Sequence, residues 1–221
     1  MQRIPEPELM DEPAQARAYA EADFSEPNQL FTDAVMERVG PDSNGRLIDL
    51  GCGPGDICLR LARGLPHWHL TGLDAGPNML ALARSAIDRA ELGERIELLH
   101  ARLPDGLPQA RFDGVVSNSL LHHLPDPMSL WTSIAALIRP GGYVQVMDLH
   151  RPDSIECARS IVDQHAADAP PVLREDFYNS LLAAWTTEEV RRQFEAAGLG
   201  ELQLSRPTER HWMASGCISA A

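Results

Sequence analysis

The chain's first candidate ligand-binding residues are the glycines of segment 51–55 (Gly-Cys-Gly-Pro-Gly), which directly follows an apolar run. Glycine has no Cβ and readily adopts positive φ, so this segment lets the backbone turn sharply and approach a bound molecule closely. We predict a buried strand, a ligand loop and then a helix whose free N–H groups point at the ligand. The apolar run 70–74 ends in Asp74, a carboxylate where one is expected for a ribose diol. A ligand that carries a nucleoside is therefore predicted.

Polar residues also follow the fourth predicted strand, at Asn118 and Ser119. Ligands of open α/β sheets bind outside the carboxyl ends of the strands, so these side chains are candidates for ligand contacts. Ser117 and Asn118 also suit the entry of a helix, so an ordinary capping role is the alternative. The two roles are compatible.

Four residues are candidates for acid–base catalysis: His122, His123, Asp148 and His150. Histidine is the side chain best suited to take a proton near neutral pH. Asp148 and His150 are two residues apart, so they share one face if the fifth strand continues. The alternative for 122–126 (His-His-Leu-Pro-Asp) is a helix-turn element without chemistry, and one of two adjacent histidines must point away from a common site.

The remaining pattern predicts the elements that position these residues. Residues 1 to about 12 are rich in proline and glutamate and are predicted to form a frayed arm that buries little. A helix is expected up to residue 39, and strands then alternate with helices, which is typical of a doubly wound parallel sheet. Residues 139–142 (Arg-Pro-Gly-Gly) are predicted to form a tight turn, 154–167 and 177–185 an inserted helical cap, and 187–197 a helix capped by Thr187. The chain is expected to close with a hairpin over 201–205 and 211–218.

Composition limits the classes of function. A chain of 221 residues with 44% hydrophobic composition suits one α/β domain over 1–221, divided into an arm (1–40), a core (45–150), a cap (151–185) and a closing segment (186–221). The formal net charge of −13 disfavours a nucleic-acid partner and favours a small molecule. The four cysteines lack metal-site spacing, so no metal is predicted. Neither a signal peptide nor an apolar span is evident, so a cytoplasmic protein without membrane contact is expected.

The glycines are spaced G-x-G-x-G, and three further motifs follow in order: 112–119 (Phe-Asp-Gly-Val-Val-Ser-Asn-Ser), 122–126 and 139–142. Over roughly residues 45 to 150 this combination resembles the class I S-adenosylmethionine (SAM)-dependent methyltransferases. The resemblance implies a Rossmann-like, seven-stranded, mostly parallel sheet with a C-terminal antiparallel hairpin. It also implies SAM as methyl donor, S-adenosylhomocysteine (SAH) as product, and a small-molecule acceptor methylated at O, N, S or C.

The resemblance assigns contacts to the parts of the cofactor. The loop would meet the amino-acid part of SAM, Asp49 would orient its ammonium directly or through water, and Asp74 would hold the ribose. The implied cofactor-binding residues are Asp49, Gly51, Cys52, Gly53, Asp74, Ala75, Met79, Ala101, Arg102, Leu103, Asn118 and Ser119.

The chain departs from the family pattern after strand three, where an acidic residue commonly holds the adenine amino group. Backbone groups around Ala101 and Arg102, or the side chain of Asp105, are the alternatives, and Leu103 and Met79 would sandwich the ring. An N-terminal segment that folds over the cofactor would bring Tyr19 or Phe24 near the ligand.

The acceptor is expected to approach over strands four and five. Its specificity is therefore assigned to 148–185 together with His211, with Arg151, Tyr178 and Trp185 as candidates for the substrate side. Two other functions compete with methyl transfer. One is a SAM-binding interaction module without turnover, and the other is a nicotinamide-dependent oxidoreductase, which the short glycine spacing and the Pro-Gly-Gly turn disfavour.

Overall fold

The computed structural model describes residues 1–7, 9 and 11–219, which form a seven-stranded sheet with helices on both faces. The strands are β1 (Gly45–Leu50), β2 (Trp68–Asp74), β3 (Ile96–His100), β4 (Phe112–Asn118), β5 (Ile138–Leu149), β6 (Gln203–Thr208) and β7 (His211–Cys217). The helices are α1 (Pro13–Glu21), α2 (Ser25–Val39), α3 (Asp56–Gly64), α4 (Pro77–Arg89), α5 (Met128–Leu137), α6 (Ile155–His165), α7 (Pro171–Ala183) and α8 (Thr187–Ala196). A 3₁₀ turn covers Leu121–His123.

The strand order across the sheet is β3-β2-β1-β4-β5-β7-β6. Strands β1 to β5 pair in parallel, and β7 lies antiparallel between β5 and β6. The order reverses between β1 and β4, and this switch point is where ligands of such sheets bind. The predicted doubly wound, mostly parallel sheet with a closing antiparallel hairpin is confirmed.

Two apolar layers hold the helices to the sheet. Successive residues of a strand point to opposite faces, and Leu47 and Ile48 of β1 accordingly enter different clusters. The Leu47 cluster includes Phe31 of α2 and joins α2, α3 and α4 to the sheet. The Ile48 cluster holds α5 and α8 through buried Trp131 and Phe194. The helical insertion predicted after β5 is also present, because α6 and α7 pack together beside the end of that strand.

The glycine loop joins β1 to α3 as predicted. The N–H groups of Gly51 and Cys52 donate to the Leu73 carbonyl at 2.8 and 3.0 Å, which fixes the loop to the end of β2. Gly55 precedes α3 in the left-handed region at φ +88°. The loop is therefore held at the switch point by backbone contacts.

Residues 1 to about 12 bury few apolar side chains, as predicted, since Ile4 and Leu9 are exposed, but the prediction that this arm is frayed is wrong. The Ile4 N–H donates to the Leu182 carbonyl at 3.0 Å, and the Arg3 guanidinium donates to the Ala183 carbonyl at 2.6 Å. Pro5 and Pro7 disfavour a helix, but an extended segment can still satisfy its polar groups on distant partners. The N-terminal arm, defined here as residues 1–7, 9 and 11–12, is docked on the body of the protein.

Some predicted element ends are also wrong. The N-cap of α8 is Thr186 rather than Thr187: the Thr186 N–H donates to the Glu189 carboxylate at 2.8 Å, which forms a capping box. The turn predicted over 139–142 is present as an irregularity within β5: the register with β4 shifts across this segment, and Gly141 has φ +79°. Helix α7 begins at Pro171, ahead of the predicted start at residue 177, because proline fits a first helical turn. Across residues 11–219, no helix is both long and apolar enough to cross a membrane.

Candidate functional site

A cavity opens at the carboxyl ends of β1, β2 and β4. Its wall contains every residue that the sequence assigned to the cofactor except Asp49. These wall residues are Gly51, Cys52, Gly53, Asp74, Ala75, Met79, Ala101, Arg102, Leu103, Asn118 and Ser119. Of the four acid–base candidates, His123 is the one that the described wall includes.

The Asp74 carboxylate is fixed by two backbone amides of neighbouring loops. Oδ2 accepts from the Gly53 N–H at 2.8 Å, and Oδ1 accepts from the Gly76 N–H at 2.7 Å. Burial raises the pKa of Asp74 from its ordinary value, although both amides oppose that shift. Each carboxylate oxygen accepts more than one hydrogen bond, so Asp74 can still receive the two hydroxyls of a ribose.

The glycines of the loop serve two different needs. Gly51 and Gly53 adopt φ +76° and +52°. A Cβ at Gly51 would come within 2.8 Å of the Leu120 side chain, so packing requires this glycine. A Cβ at Gly53 would meet no described atom within 4 Å, so it would extend into the open cavity. This is the arrangement that a ligand lying against the loop requires, and the loop and Asp74 together fit the SAM group.

Asp49 lies behind the loop rather than on the cavity wall. It is 1% exposed, and the Cys58 thiol donates to its Oδ2 at 3.5 Å. Burial raises the pKa of Asp49 to about 7, although the hydrogen bond from Cys58 acts to lower it. The proposed direct contact with a ligand ammonium does not fit this position. The Oδ1 atom has no hydrogen-bond partner among the described residues, so the contact through water remains a proposal.

The residues after β3 form the part of the wall assigned to adenine. Ala101, Arg102 and Leu103 line the cavity together with Met79, whereas Asp105 is not in the described lining. The Ala101 N–H donates to the Asp74 carbonyl at 3.0 Å, which holds this segment beside β2. Of the two alternatives left open by the sequence, the arrangement supports contacts around Ala101 and Arg102.

The cavity is roofed by the N-terminal part of the chain. Tyr19 and Phe24 both line it, with ring centroids 4.8 Å apart. Asp11 attaches the arm to the start of α4, because its Oδ1 accepts from the N–H groups of Asn78 and Met79 at 2.9 and 3.2 Å. Sequence reasoning missed Asp11, since its partners lie far along the chain and no local pattern links them.

The electrostatic environment of this roof is negative. Burial raises the pKa of Tyr19 to about 12, and the carboxylates of Asp148, Asp74 and Asp56 add to the shift. The same field that disfavours a phenolate stabilises a cation. The SAM sulfonium and ammonium groups are cations, so they fit this site.

The two adjacent histidines have different surroundings. His122 is 3% exposed, and its Nδ1 lies 2.5 Å from Oδ1 of Asp148. Burial alone would lower the pKa of His122, but Asp148 outweighs it and the pKa is raised. His123 has no such contact with Asp148, and burial together with His122 lowers its pKa to about 3. His123 is therefore neutral at physiological pH.

Glu6 of the N-terminal arm reaches both histidines. Its Oε1 lies 3.6 Å from Nε2 of His122 and 3.3 Å from Nδ1 of His123. Burial raises the pKa of Glu6, while His122 opposes the shift. Sequence reasoning missed this residue because it placed residues 1–12 in solvent.

The other residues assigned to catalysis or to the acceptor are absent from the described cavity wall, as are all residues of 151–185. The Arg151 guanidinium pairs with Glu189 at 2.8 Å, and the Trp185 indole N–H donates to the Leu121 carbonyl at 3.4 Å. Nδ1 of His211 contacts the Thr208 hydroxyl at 2.8 Å. The expected roof over 148–185 is not what covers this cavity: the N-terminal segment does so, because the arm docks there. His150 and Tyr178 are likewise outside it.

Comparisons with known proteins agree with this geometry. Residues 48–144 match the family model described as a methyltransferase domain. This segment is therefore similar to methyltransferase domains. It begins within β1 and ends within β5, so it contains the glycine loop, Asp74 and both histidines.

Among curated proteins, the chain is similar to an uncharacterized methyltransferase of Mycobacterium bovis, with 34% identity over 124 residues, 56% of this chain and 60% of that protein. It is also similar to the ubiquinone biosynthesis O-methyltransferase of Aeromonas salmonicida, 29% identical over 174 residues, 78% of this chain and 70% of that protein. A SAM-dependent methyltransferase from Aquifex aeolicus shares the fold, with a TM-score of 0.66, 16% identity and coverage of 94% of this chain and 98% of that one. The match to the mycobacterial relative spans less than two thirds of that protein's length.

Proposed function

We propose that this chain transfers a methyl group from SAM to a small-molecule acceptor. The observation that carries the proposal is one cavity that joins the glycine loop and Asp74 to a roof of Tyr19 and Phe24. The glycine loop and Asp74 fit a nucleoside with an amino-acid tail. Tyr19 and Phe24 leave aromatic surface for a second molecule, the acceptor. The net charge of −13 supports a small molecule over a nucleic acid as that partner.

The cofactor residues act by binding and orientation. Asp74 would accept hydrogen bonds from the ribose hydroxyls, and Met79 and Leu103 would pack on the adenine ring. Asn118 would face the methionine part, since it ends β4 and its side-chain amide donates to Oδ1 of Asn28 at 3.0 Å. That bond also ties the roof helix α2 to the sheet.

Methyl transfer from a sulfonium is an in-line displacement, so alignment and exclusion of water are the enzyme's main contributions. His123 is the acid–base candidate on the described wall, and its neutral ring suits a hydrogen bond with an uncharged acceptor. His122 and Asp148 would position His123 from behind the wall. A general base is required only for an acceptor that still carries its proton at the reacting pH.

For the acceptor we propose a hydroxylated aromatic small molecule. The adjacent Tyr19 and Phe24 rings, tilted by 37° to each other, supply aromatic surface for a planar ligand, and the similarity to the Aeromonas salmonicida O-methyltransferase supports oxygen as the methylated atom. The test is SAH formation from SAM with matched phenol, aniline and thiophenol acceptors. Turnover of the phenols alone supports oxygen, whereas turnover of the other two alone rejects it.

A SAM-binding module without turnover is the second candidate, and it requires the same cofactor contacts. Calorimetry with SAH and with NAD, run beside the acceptor assay, separates the alternatives. Binding of SAH with acceptor-dependent turnover supports the enzyme. Binding of SAH without turnover supports the module, and binding of NAD alone supports an oxidoreductase.

A further inference from the structure

We propose that Glu6, His122 and His123 form a binding site for a divalent zinc ion that fastens the N-terminal arm to the core. The ligand atoms would be Oε1 of Glu6, Nε2 of His122 and Nδ1 of His123, and one oxygen or nitrogen atom from each of the three residues lies within 4.8 Å of the others. Two histidines and one glutamate are a common zinc ligand set, with water or another ligand at the fourth position.

The distance from the Glu6 oxygen to each histidine nitrogen is close to that between two ligands of one zinc ion. Bonds of about 2.0–2.2 Å to nitrogen and oxygen place the ligands of a tetrahedral zinc about 3.3–3.5 Å apart. The Glu6 oxygen lies 3.3 Å from the His123 nitrogen and 3.6 Å from the His122 nitrogen. The two histidine rings lie 4.2 Å apart between their centroids, so binding of a zinc ion would require the rings to turn until both nitrogens face the ion.

Two of the proposed ligand atoms are buried without hydrogen-bond partners among the described residues: Oε1 of Glu6 and Nδ1 of His123. The Glu6 side chain is only 8% exposed. Its other oxygen, Oε2, accepts from the Ser180 hydroxyl at 3.3 Å, which leaves Oε1 directed at the histidines. Buried polar atoms normally have partners, so this pair of unpartnered atoms indicates a missing ligand.

His122 contacts a carboxylate through its second ring nitrogen, as histidine ligands of zinc generally do. Nδ1 of His122 contacts the Asp148 carboxylate at 2.5 Å, which leaves Nε2 on the Glu6 side of the ring. A metal-ligating histidine generally donates its other ring N–H to a carboxylate or carbonyl, which fixes the ring and strengthens the ligand. Asp148 in turn accepts from the backbone N–H groups of His122 and Leu149.

The site would join two parts of the chain that are distant in sequence. Glu6 belongs to the arm, while the histidines belong to the 3₁₀ turn beside the cavity. Arg3 already bonds this turn, since its guanidinium donates to the His122 carbonyl at 2.9 Å. Zinc would add a second attachment and hold the arm in its docked position.

The experiment is a titration of chelator-treated full-length protein with Zn²⁺, and with Co²⁺ as a spectroscopic probe. We expect one equivalent bound and a visible Co²⁺ absorption band typical of tetrahedral coordination. Glu6→Gln and His123→Asn should each weaken Zn²⁺ binding at least tenfold, and Asp148→Asn, in the outer shell, by about 10–100-fold. Circular dichroism of each metal-free variant reports folding separately.

The matched controls are Glu12→Gln and His67→Asn, which alter an exposed glutamate and an exposed histidine outside the cluster. Unchanged Zn²⁺ affinity in both controls, with loss in folded Glu6→Gln and His123→Asn, supports the site. Equal affinity in wild type, Glu6→Gln and His123→Asn overturns it, as does a wild-type protein that binds no Zn²⁺. SAH binding measured on the same samples reports the cofactor site separately, so the zinc proposal and the proposed methyl transfer can fail independently.

Discussion

Nδ1 of His122 lies 2.5 Å from Oδ1 of Asp148, and this buried contact joins the 3₁₀ turn after β4 to the end of β5. The His122 N–H also donates to Oδ2 of the same carboxylate at 3.1 Å, so both side chain and backbone are held. The adjacent His123 is thereby placed on the cavity wall, and both histidines lie beside Glu6 of the arm. The contact between His122 and Asp148 thus positions both histidines.

Replacing Asp74 tests the ribose contact. Asp74→Ala should weaken SAH binding by about 1.5–3 kcal/mol, the range for hydrogen bonds to a charged group. Isothermal calorimetry measures the change, and Asp88→Ala, at an exposed position of α4, is the control. Equal affinity in wild type and Asp74→Ala would remove the ribose assignment.

The glycine loop can be tested with a pair of valine substitutions. Gly53→Val should abolish SAH binding in a folded protein, because its side chain would occupy the open cavity. Gly198→Val introduces the same kind of backbone strain, since both glycines have positive φ and a Cβ added at either would meet no described atom within 4 Å. Gly198 lies outside the described cavity wall, so that variant should lose comparable stability and keep SAH binding. Normal binding by Gly53→Val would show that the ligand does not contact the loop there.

Asp11 should contribute to both stability and binding, because it caps α4 and holds the arm over the cavity. Asp11→Ala should lower the free energy of unfolding by about 0.5–2 kcal/mol, as for loss of a helix cap, and weaken SAH binding as well. Urea denaturation and calorimetry measure the two effects. Glu12→Ala, at the neighbouring exposed position, is the control. If Asp11→Ala behaves like Glu12→Ala in both assays, Asp11 does not hold the arm over the cavity.

Asp49 makes stability depend on pH. Burial raises its pKa to about 7 in the folded protein, compared with about 3.9 in an unfolded chain. The folded state therefore binds more protons between these values, and the contribution of Asp49 to the free energy of unfolding falls as pH rises through that window. Asp49→Asn does not titrate, so its stability relative to wild type should increase from about pH 4 to about pH 7.5. Urea denaturation across this pH range measures the effect, and exposed Asp88→Asn is the control. A constant difference in the free energy of unfolding between Asp49→Asn and wild type would refute the raised pKa of Asp49.

Sequence patterns predicted the sheet and the part of the cavity wall at the strand ends because those features are local. Gly51 to Gly53 and Asp74 each stand where an apolar run ends, and parallel strands bring such ends to one edge. The roof could not be predicted in the same way. Glu6 and Asp11 act through partners far along the chain, and their proline-rich surroundings resemble an unfolded arm. Asp49 sits in the recognised motif, but only packing shows that its carboxylate is behind the loop.

The most direct test of methyl transfer is to quantify SAH by mass spectrometry after incubation with SAM and fractionated small-molecule extract. Wild-type protein should form SAH only with certain fractions, and Asp74→Ala should form at least tenfold less at low SAM concentration. Calorimetry on the same preparations would establish that SAM binds. SAM binding without SAH formation in any fraction, including phenol-rich ones, would contradict the account and identify a binding module.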